Sequence, residues 1–370
     1  MQQQCRVPAP CIPATQQLSP ACLPLALQLV AGGRGILAAD ESTTTVGKRL
    51  ASIGVENSAP NRAALRRMLF GAPGLERHIS GVILFEETLL QADDAAGGAA
   101  AAGQARLVDL LSSQGVLLGI KVDTGLAPLP VSPGESFTQG FDNLAARCAK
   151  AKAAGASFAK WRAVLHIRQA CATSPGLPSE AAVAAAAQGL ALYAAISQAA
   201  GLVPIVEPEV LADGDHGIEL CEAVTQRVLA AVFKALADAG VLLEGMLLKP
   251  NMVTPGSSAP AAAADDVAAA TLRVLRRTVP PAVPGIVFLS GGQSEADATR
   301  HLALMNSGAL AGSKPWVLSF SYGRALQASA LQAWGGQAGN AAAGQAAFMA
   351  RAAANSAAAR GGEEAAPNSS

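Results

Sequence analysis

The sequence predicts an α/β chain folded as a closed (β/α)8 TIM barrel, and three observations carry that prediction. Eight short apolar runs recur along the chain, each followed by polar or charged residues. Helix-like stretches lie between them. The ends of successive runs are 31–47 residues apart, which suits one strand plus one helix. Continuous apolar strands alternating with helices indicate a parallel sheet covered on both faces, and eight such units favour closure over an open sheet.

The first run, 35–39, ends in Asp40, the second, 81–85, in Glu86 and Glu87, and the third, 116–120, in Lys121 and Asp123. The fourth, 157–159, ends in Lys160, Trp161 and Arg162, and the fifth, 202–206, in Glu207 and Glu209. The sixth, 246–248, ends in Lys249 and is stopped by Pro250. The seventh, 285–289, ends in Ser290-Gly291-Gly292, and the eighth, 316–320, in Ser321 and Arg324. Helices are expected over 62–69, 104–113, 141–154, 180–198, 218–239, 261–277 and 295–306, several closed by glycine, as at Gly155, Gly201 and Gly240. The expected organisation is a poorly defined segment 1–30, the barrel over 31–335, and a C-terminal helix with a flexible tail over 336–370.

Charge balances at 27 basic against 27 acidic residues, so no global field favours nucleic acid. A small molecule is the expected partner. Six cysteines without a CxxC pair argue against a zinc module or a disulfide framework. The apolar segment 181–206 is interrupted by Gln188, Ser197, Gln198, Gly201 and Pro204, so it reads as helix, turn and strand, and no membrane span is expected. The first 24 residues lack a continuous apolar core of the kind a secretory signal needs.

In such barrels catalytic groups project from the carboxyl ends of the strands. The run ends gather Asp40, Glu86, Glu87, Lys121, Asp123, Lys160, Arg162, Glu207, Glu209, Lys249, Ser290 and Arg324 in one mouth. Lys249 alone is open to a bland explanation, a lysine that caps a strand and snorkels outward. A second lysine, Lys160, strengthens the chemical one, because neighbouring lysines in a partly dry site disfavour each other's protonation and leave a nucleophilic amine. Such an amine attacks a ketone, and the imine lets an adjacent carbon–carbon bond break. Glu207 or Glu209 suits the acid/base step of imine formation, and Asp40 the hydroxyl proton of the departing aldehyde. Glu207 and Glu209 could equally be ion-pair partners of the lysines. The Ser290-Gly291-Gly292 turn before a helix, with Gly323 and Arg324 after the eighth run, suits a phosphate. His78, His166, His216 and His301 are isolated, so no metal and no cofactor is expected.

At this point the motifs resemble the class I, Schiff-base fructose-bisphosphate aldolases. The matching segments are GRGILAADEST (33–43), GVILFEETL (81–89), GIKVD (119–123), FAKWR (158–162), VPIVEPE (203–209), LLKPNMVTPG (247–256), RRTVPPAV (276–283), FLSGGQSE (288–295) and SYGRALQASAL (321–331). The resemblance implies a barrel, usually a homotetramer, that reversibly cleaves fructose 1,6-bisphosphate to dihydroxyacetone phosphate and glyceraldehyde 3-phosphate. Lys249 would form the imine, Glu207 would be its acid/base, Asp40 would handle the hydroxyl proton and Lys160 would support the site. Ser290, Gly291, Gly292, Ser321, Gly323 and Arg324 would hold one phosphate. Ser42, Thr45, Lys121, Arg162 and Arg49 would serve the other end of the sugar. A cytoplasmic location is expected, with a plastid as the alternative.

The sequence departs from the family at its end. Animal members finish in a tyrosine that assists proton exchange, whereas this sequence ends Asn368-Ser369-Ser370 and has only Tyr193 and Tyr322. Slow release of the ketone product is therefore expected. Thr124, Leu90 and Glu86 also differ from many members. Two competing functions are a barrel that works mainly as a binding or scaffold subunit, and another imine-forming lyase such as a transaldolase. The paired Ser42/Lys121 and Ser290/Arg324 sets, one for each phosphate, argue against the second.

Overall fold

The computed structural model describes residues 21–94, 97–101, 103–171, 176–307 and 312–362. Most of the expected N-terminal segment and most of the expected tail lie outside the described residues. Among the described residues there are ten strands: β1 (Gly35–Ala39), β2 (Ile79–Leu84), β3 (Leu117–Lys121), β4 (Gly125–Pro128), β5 (Ser136–Gln139), β6 (Phe158–Leu165), β7 (Val203–Val210), β8 (Leu247–Leu248), β9 (Gly285–Phe288) and β10 (Val317–Tyr322). Eight close a parallel barrel in the order β1-β10-β9-β8-β7-β6-β3-β2, as the run spacing predicted. β4 and β5 form a separate antiparallel hairpin that the apolar runs did not announce.

Among the described residues there are twelve α-helices. They are α1 (Cys22–Val30), α2 (Thr43–Ala51), α3 (Ala59–Phe70), α4 (Glu86–Leu90), α5 (Asp109–Ser112), α6 (Leu144–Ala153), α7 (Glu180–Ala199), α8 (Ile218–Asp238), α9 (Ala264–Thr278), α10 (Glu295–Asn306), α11 (Arg324–Trp334) and α12 (Ala341–Ala359). α7 is long and apolar enough to satisfy a membrane-span criterion, but it packs on β6, β7 and α8. Its Tyr193 hydroxyl donates to the Ile205 carbonyl at 3.2 Å.

Two apolar layers follow from the two-residue period of the strands. Leu37, Val206, Leu248, Phe288 and Phe320 face outward into the helix layer. Ile36, Ile83, Phe158, Val203, Ile205, Leu247 and Val287 point inward, and Cys22, Ala26, Leu29 and Val30 of α1 pack beneath them to close the floor. Gly119 has no room for a side chain because a Cβ there would lie 2.1 Å from the Phe158 ring. Above this floor the inward phase continues into charged residues: Asp40 beyond Ala38, Lys160 and Arg162 beyond Phe158, Glu207 and Glu209 beyond Ile205, and Lys249 beyond Leu247.

That phase corrects one sequence expectation. Lys160, Arg162, Glu207 and Glu209 do not follow their strands; they lie within β6 and β7, whose pairing runs from Phe158–Val203 to Leu165–Val210. An apolar run stops at the first charge, whereas a backbone ladder continues wherever the charged side chains can be paired inside the barrel. Lys249 does follow its strand, and its N–H still donates to Val206 at 2.8 Å.

Candidate active site

The strand phase brings four charged side chains into one line. Lys249 Nζ lies 3.1 Å from Glu207 Oε1, and Glu207 Oε2 lies 3.0 Å from Lys160 Nζ. Lys160 Nζ is in turn 2.7 Å from Asp40 Oδ2. The side chains of Lys249, Glu207 and Lys160 are each 4% exposed, so water screens these pairs little. Burial alone would raise the pKa of Asp40 and Glu207; Lys160 and Lys249 outweigh it and hold both carboxyls below their usual range. Burial likewise works against the charge on Lys160, but Asp40, Glu207 and Asp123 win and hold its ammonium above the usual lysine range. The expectation that two lysines would each discharge the other therefore fails at Lys160, because two carboxylates flank it.

Glu209, the other candidate for acid/base work, is engaged by a very short ion pair with Arg162. The hairpin fixes this arginine's strand from outside, Thr138 Oγ1 donating to the Arg162 carbonyl at 2.7 Å. Lys121 Nζ is held by Asp123 Oδ1 at 2.6 Å and by the Asp123 carbonyl at 2.9 Å. Ser42 caps α2, its Oγ accepting from the Thr45 N–H at 3.3 Å. Its hydroxyl lies 3.1 Å from that of Thr45, so two small donors share the start of one helix.

A cleft of about 630 Å³ joins these groups. It is lined by Asp40, Ser42, Thr45, Arg49, Lys121, Lys160, Arg162, Glu207, Glu209, Lys249, Ser290, Gly291, Ser321, Gly323 and Arg324. Gly292 alone of the expected site residues lies to one side, in an adjoining cleft of about 870 Å³ that shares Arg162, Glu209, Gly291 and Arg324. Glu87 is turned away to pair with Arg62 at 2.9 Å, and Glu86 pairs with Lys150 at the exposed rim.

The Ser290-Gly291-Gly292 turn needs its glycines, since Gly291 and Gly292 have φ of 54° and 85°. Ser294 caps the following helix α10, accepting from Asp297 N–H at 3.0 Å. Ser321 Oγ is buried and has no hydrogen-bond partner among the described residues. A Cβ built on Gly292 would lie 3.7 Å from Arg324 Nη2, and one on Gly323 would lie 3.5 Å from Arg49 Nη2. The Arg49 guanidinium therefore reaches toward the Gly323 side of the cleft from a helix whose start carries Ser42 and Thr45.

A model of class-I fructose-bisphosphate aldolases matches residues 23–369. The chain belongs to that family. A cytosolic aldolase 6 of Arabidopsis thaliana is 56% identical over 329 residues, covering 89% of this chain and 87% of the relative. The cytoplasmic isozyme of Cicer arietinum is 57% identical over 330 residues, covering 89% and 88%. A solved Plasmodium falciparum aldolase, crystallised with TRAP and a small-molecule inhibitor, superposes with a TM-score of 0.88 at 50% identity, covering 95% of this chain and 97% of the other. The cytosolic expectation agrees with the names of the two plant relatives.

Three groups lining these clefts escaped the sequence reading as functional candidates. Glu41, next to Asp40, is buried and accepts from Arg49 at 2.5 Å, from Arg66 at 2.8 Å and from Gln327 at 3.1 Å. Gln293 Nε2 donates to the Ser290 carbonyl at 3.0 Å, bracing the glycine turn. Its Oε1 accepts from His301 Nδ1 at 2.6 Å, which puts the ring proton on that nitrogen; burial keeps this imidazole below the usual histidine pKa and so neutral at pH 7. Glu41 is signalled by its place in the ADES segment, whereas nothing local in the sequence marks His301. Tyr193 and Tyr322 are fully buried outside the cleft, and their hydroxyls donate to the Ile205 and Ala298 carbonyls. Among the described residues no three His, Cys, Asp or Glu side chains form a candidate metal cluster.

Proposed function

We propose that this aldolase works through an imine on Lys249, with fructose 1,6-bisphosphate spanning the cleft between two phosphate-holding ends. The observation that carries the proposal is the alternating line Lys249, Glu207, Lys160, Asp40, with successive N···O distances of 3.1, 3.0 and 2.7 Å. Glu207 starts ionised and takes a proton from the Lys249 ammonium. The free amine attacks the C2 ketone. Glu207 then returns the proton to the carbinolamine hydroxyl, which leaves as water. Asp40, kept ionised by Lys160, accepts the C4 hydroxyl proton as the C3–C4 bond breaks. The bonding pair moves into the iminium to give an enamine, and glyceraldehyde 3-phosphate departs. Protonation and hydrolysis of the enamine release dihydroxyacetone phosphate.

Lys160 stays charged throughout and holds both carboxylates in place. Ser290, Gly291, Gly292, Ser321, Gly323 and Arg324 hold one phosphate, joined by Arg49 from across the cleft. Ser42, Thr45, Lys121 and Arg162 serve the other end, with Glu209 orienting Arg162. A homotetramer is the assembly proposed for this chain, on the family resemblance. The Lys249→Arg variant keeps a cation beside Glu207 but removes the primary amine. It is expected to abolish cleavage while still binding inorganic phosphate; a variant that still cleaves the bisphosphate through a reducible imine overturns the assignment.

A further inference from the structure

The proposed phosphate cradle has two halves on separate strands: Ser290–Gly292 after β9, and Ser321, Gly323 and Arg324 at the end of β10 and start of α11. Each half is followed by a helix, so anything that shifts α10 against α11 opens or closes the cradle. One carboxylate joins the two helices. Glu295, at the start of α10, accepts from the Ser329 N–H at 3.0 Å through Oε1 and from the Ser329 hydroxyl, by a very short bond, through Oε2. Ser329 lies in α11, five residues beyond Arg324.

The same first turn of α10 is gripped from behind by α12. Arg351 Nη2 donates to the Glu295 carbonyl at 2.6 Å and to Thr299 Oγ1 at 2.5 Å. Thr299 Oγ1 is also 2.7 Å from Asn355 Oδ1, and Arg351 Nε lies 3.9 Å from Glu295 Oε2. Charged partners make such bonds stronger than neutral ones, and the Glu295 side chain, 21% exposed, is only partly screened. Neither Glu295 nor Ser329 lines the cleft.

We propose that Glu295 and Ser329 form a strap that sets the spacing between the two halves of the phosphate cradle, making both positioning residues for phosphate recognition. The strap rests on the assignment of that cradle. Without the Ser329 hydroxyl, only the Ser329 N–H still ties Glu295 to α11, so Arg324 and the Ser290–Gly292 amides are less firmly held at one separation and a phosphate is gripped less well by both halves at once. Groups on the Lys249 line are untouched. The expected signature is weaker phosphate binding and a higher KM with kcat preserved.

The test uses the full chain and inorganic phosphate as the probe, measured as a competitive inhibitor of bisphosphate cleavage and by direct calorimetric binding. Ser329→Ala is expected to raise the phosphate Ki and the KM about 3–10-fold, a part of what one charge-assisted hydrogen bond is worth because the Ser329 N–H bond remains, with kcat within about twofold. Ser329→Thr, which keeps the hydroxyl, is expected to restore both. Arg324→Ala serves as the reference: unchanged phosphate affinity there overturns the cradle itself. Weakened affinity in Arg324→Ala with an unchanged Ki in Ser329→Ala overturns the strap alone. So does a Ki raised equally by Ser329→Ala and Ser329→Thr, or a kcat that falls as far as KM rises.

Discussion

Replacing Lys160 by methionine keeps most of the side-chain volume and removes the ammonium between Asp40 and Glu207. A carboxyl held low in the fold contributes stability above its unfolded pKa and loses it as pH falls through the folded value. An ammonium held high contributes below its unfolded pKa, near 10.5, and loses it as pH rises through the folded value. The network is therefore intact from about pH 5 to about pH 10. Removing one partner of a buried ion pair costs about 3–5 kcal/mol. Asp40 can limit that cost by taking up a proton, because burial then acts on it with less opposition. A protonated Asp40 cannot accept the C4 hydroxyl proton, and loss of a positioned general base costs about 10²–10⁴-fold in rate. The assay is kcat for bisphosphate cleavage against pH. In Lys160→Met, kcat at neutral pH should fall by that range and the acid limb should move to higher pH. A variant with the parental kcat and the parental acid limb would refute the role given to Lys160.

Other consequences are simpler. Gly119→Ala drives a Cβ into the Phe158 ring above the barrel floor and should lower the urea midpoint by the equivalent of about 1–3 kcal/mol or more; an unchanged midpoint would mean that the ring can yield. Glu41→Gln leaves the buried Arg66 without its carboxylate and frees Arg49, so both a destabilisation of about 3–5 kcal/mol and a higher KM for the bisphosphate are expected, read by denaturant unfolding and steady-state kinetics. Neither tyrosine reaches the cleft. Tritium exchange into dihydroxyacetone phosphate should therefore lag behind bisphosphate cleavage, and exchange faster than cleavage would reveal another proton carrier.

Much of this was legible from the amino-acid pattern, for a physical reason. A strand covered on both faces must be apolar along its length, so the eight runs announced the eight barrel strands. The β4–β5 hairpin stands outside that layer, with Leu126 and Phe137 exposed, and so produced no comparable run. α1 was missed because its job, closing the floor, is defined by residues far along the chain such as Phe158 and Leu247. α2 and α11 were missed because each starts almost directly beyond a site residue, where polar side chains interrupt the apolar pattern. The charged site residues were found as run ends, although Val203, Ile205, Glu207 and Glu209 already share one two-residue phase that would have placed them inside the barrel. The protonation of Lys160 was not legible at all, since it depends on carboxylates contributed by β7 and by the residue just beyond β1.

The proposed chemistry depends first on Lys249 carrying the covalent bond. Incubation with dihydroxyacetone phosphate, reduction with borohydride and peptide mass mapping test it directly. A stable three-carbon phosphate adduct is expected on the peptide containing Lys249, formed equally with EDTA present and absent from Lys249→Arg. An unlabelled Lys249 in enzyme that still cleaves the bisphosphate, or an adduct on Lys160 instead, would contradict it.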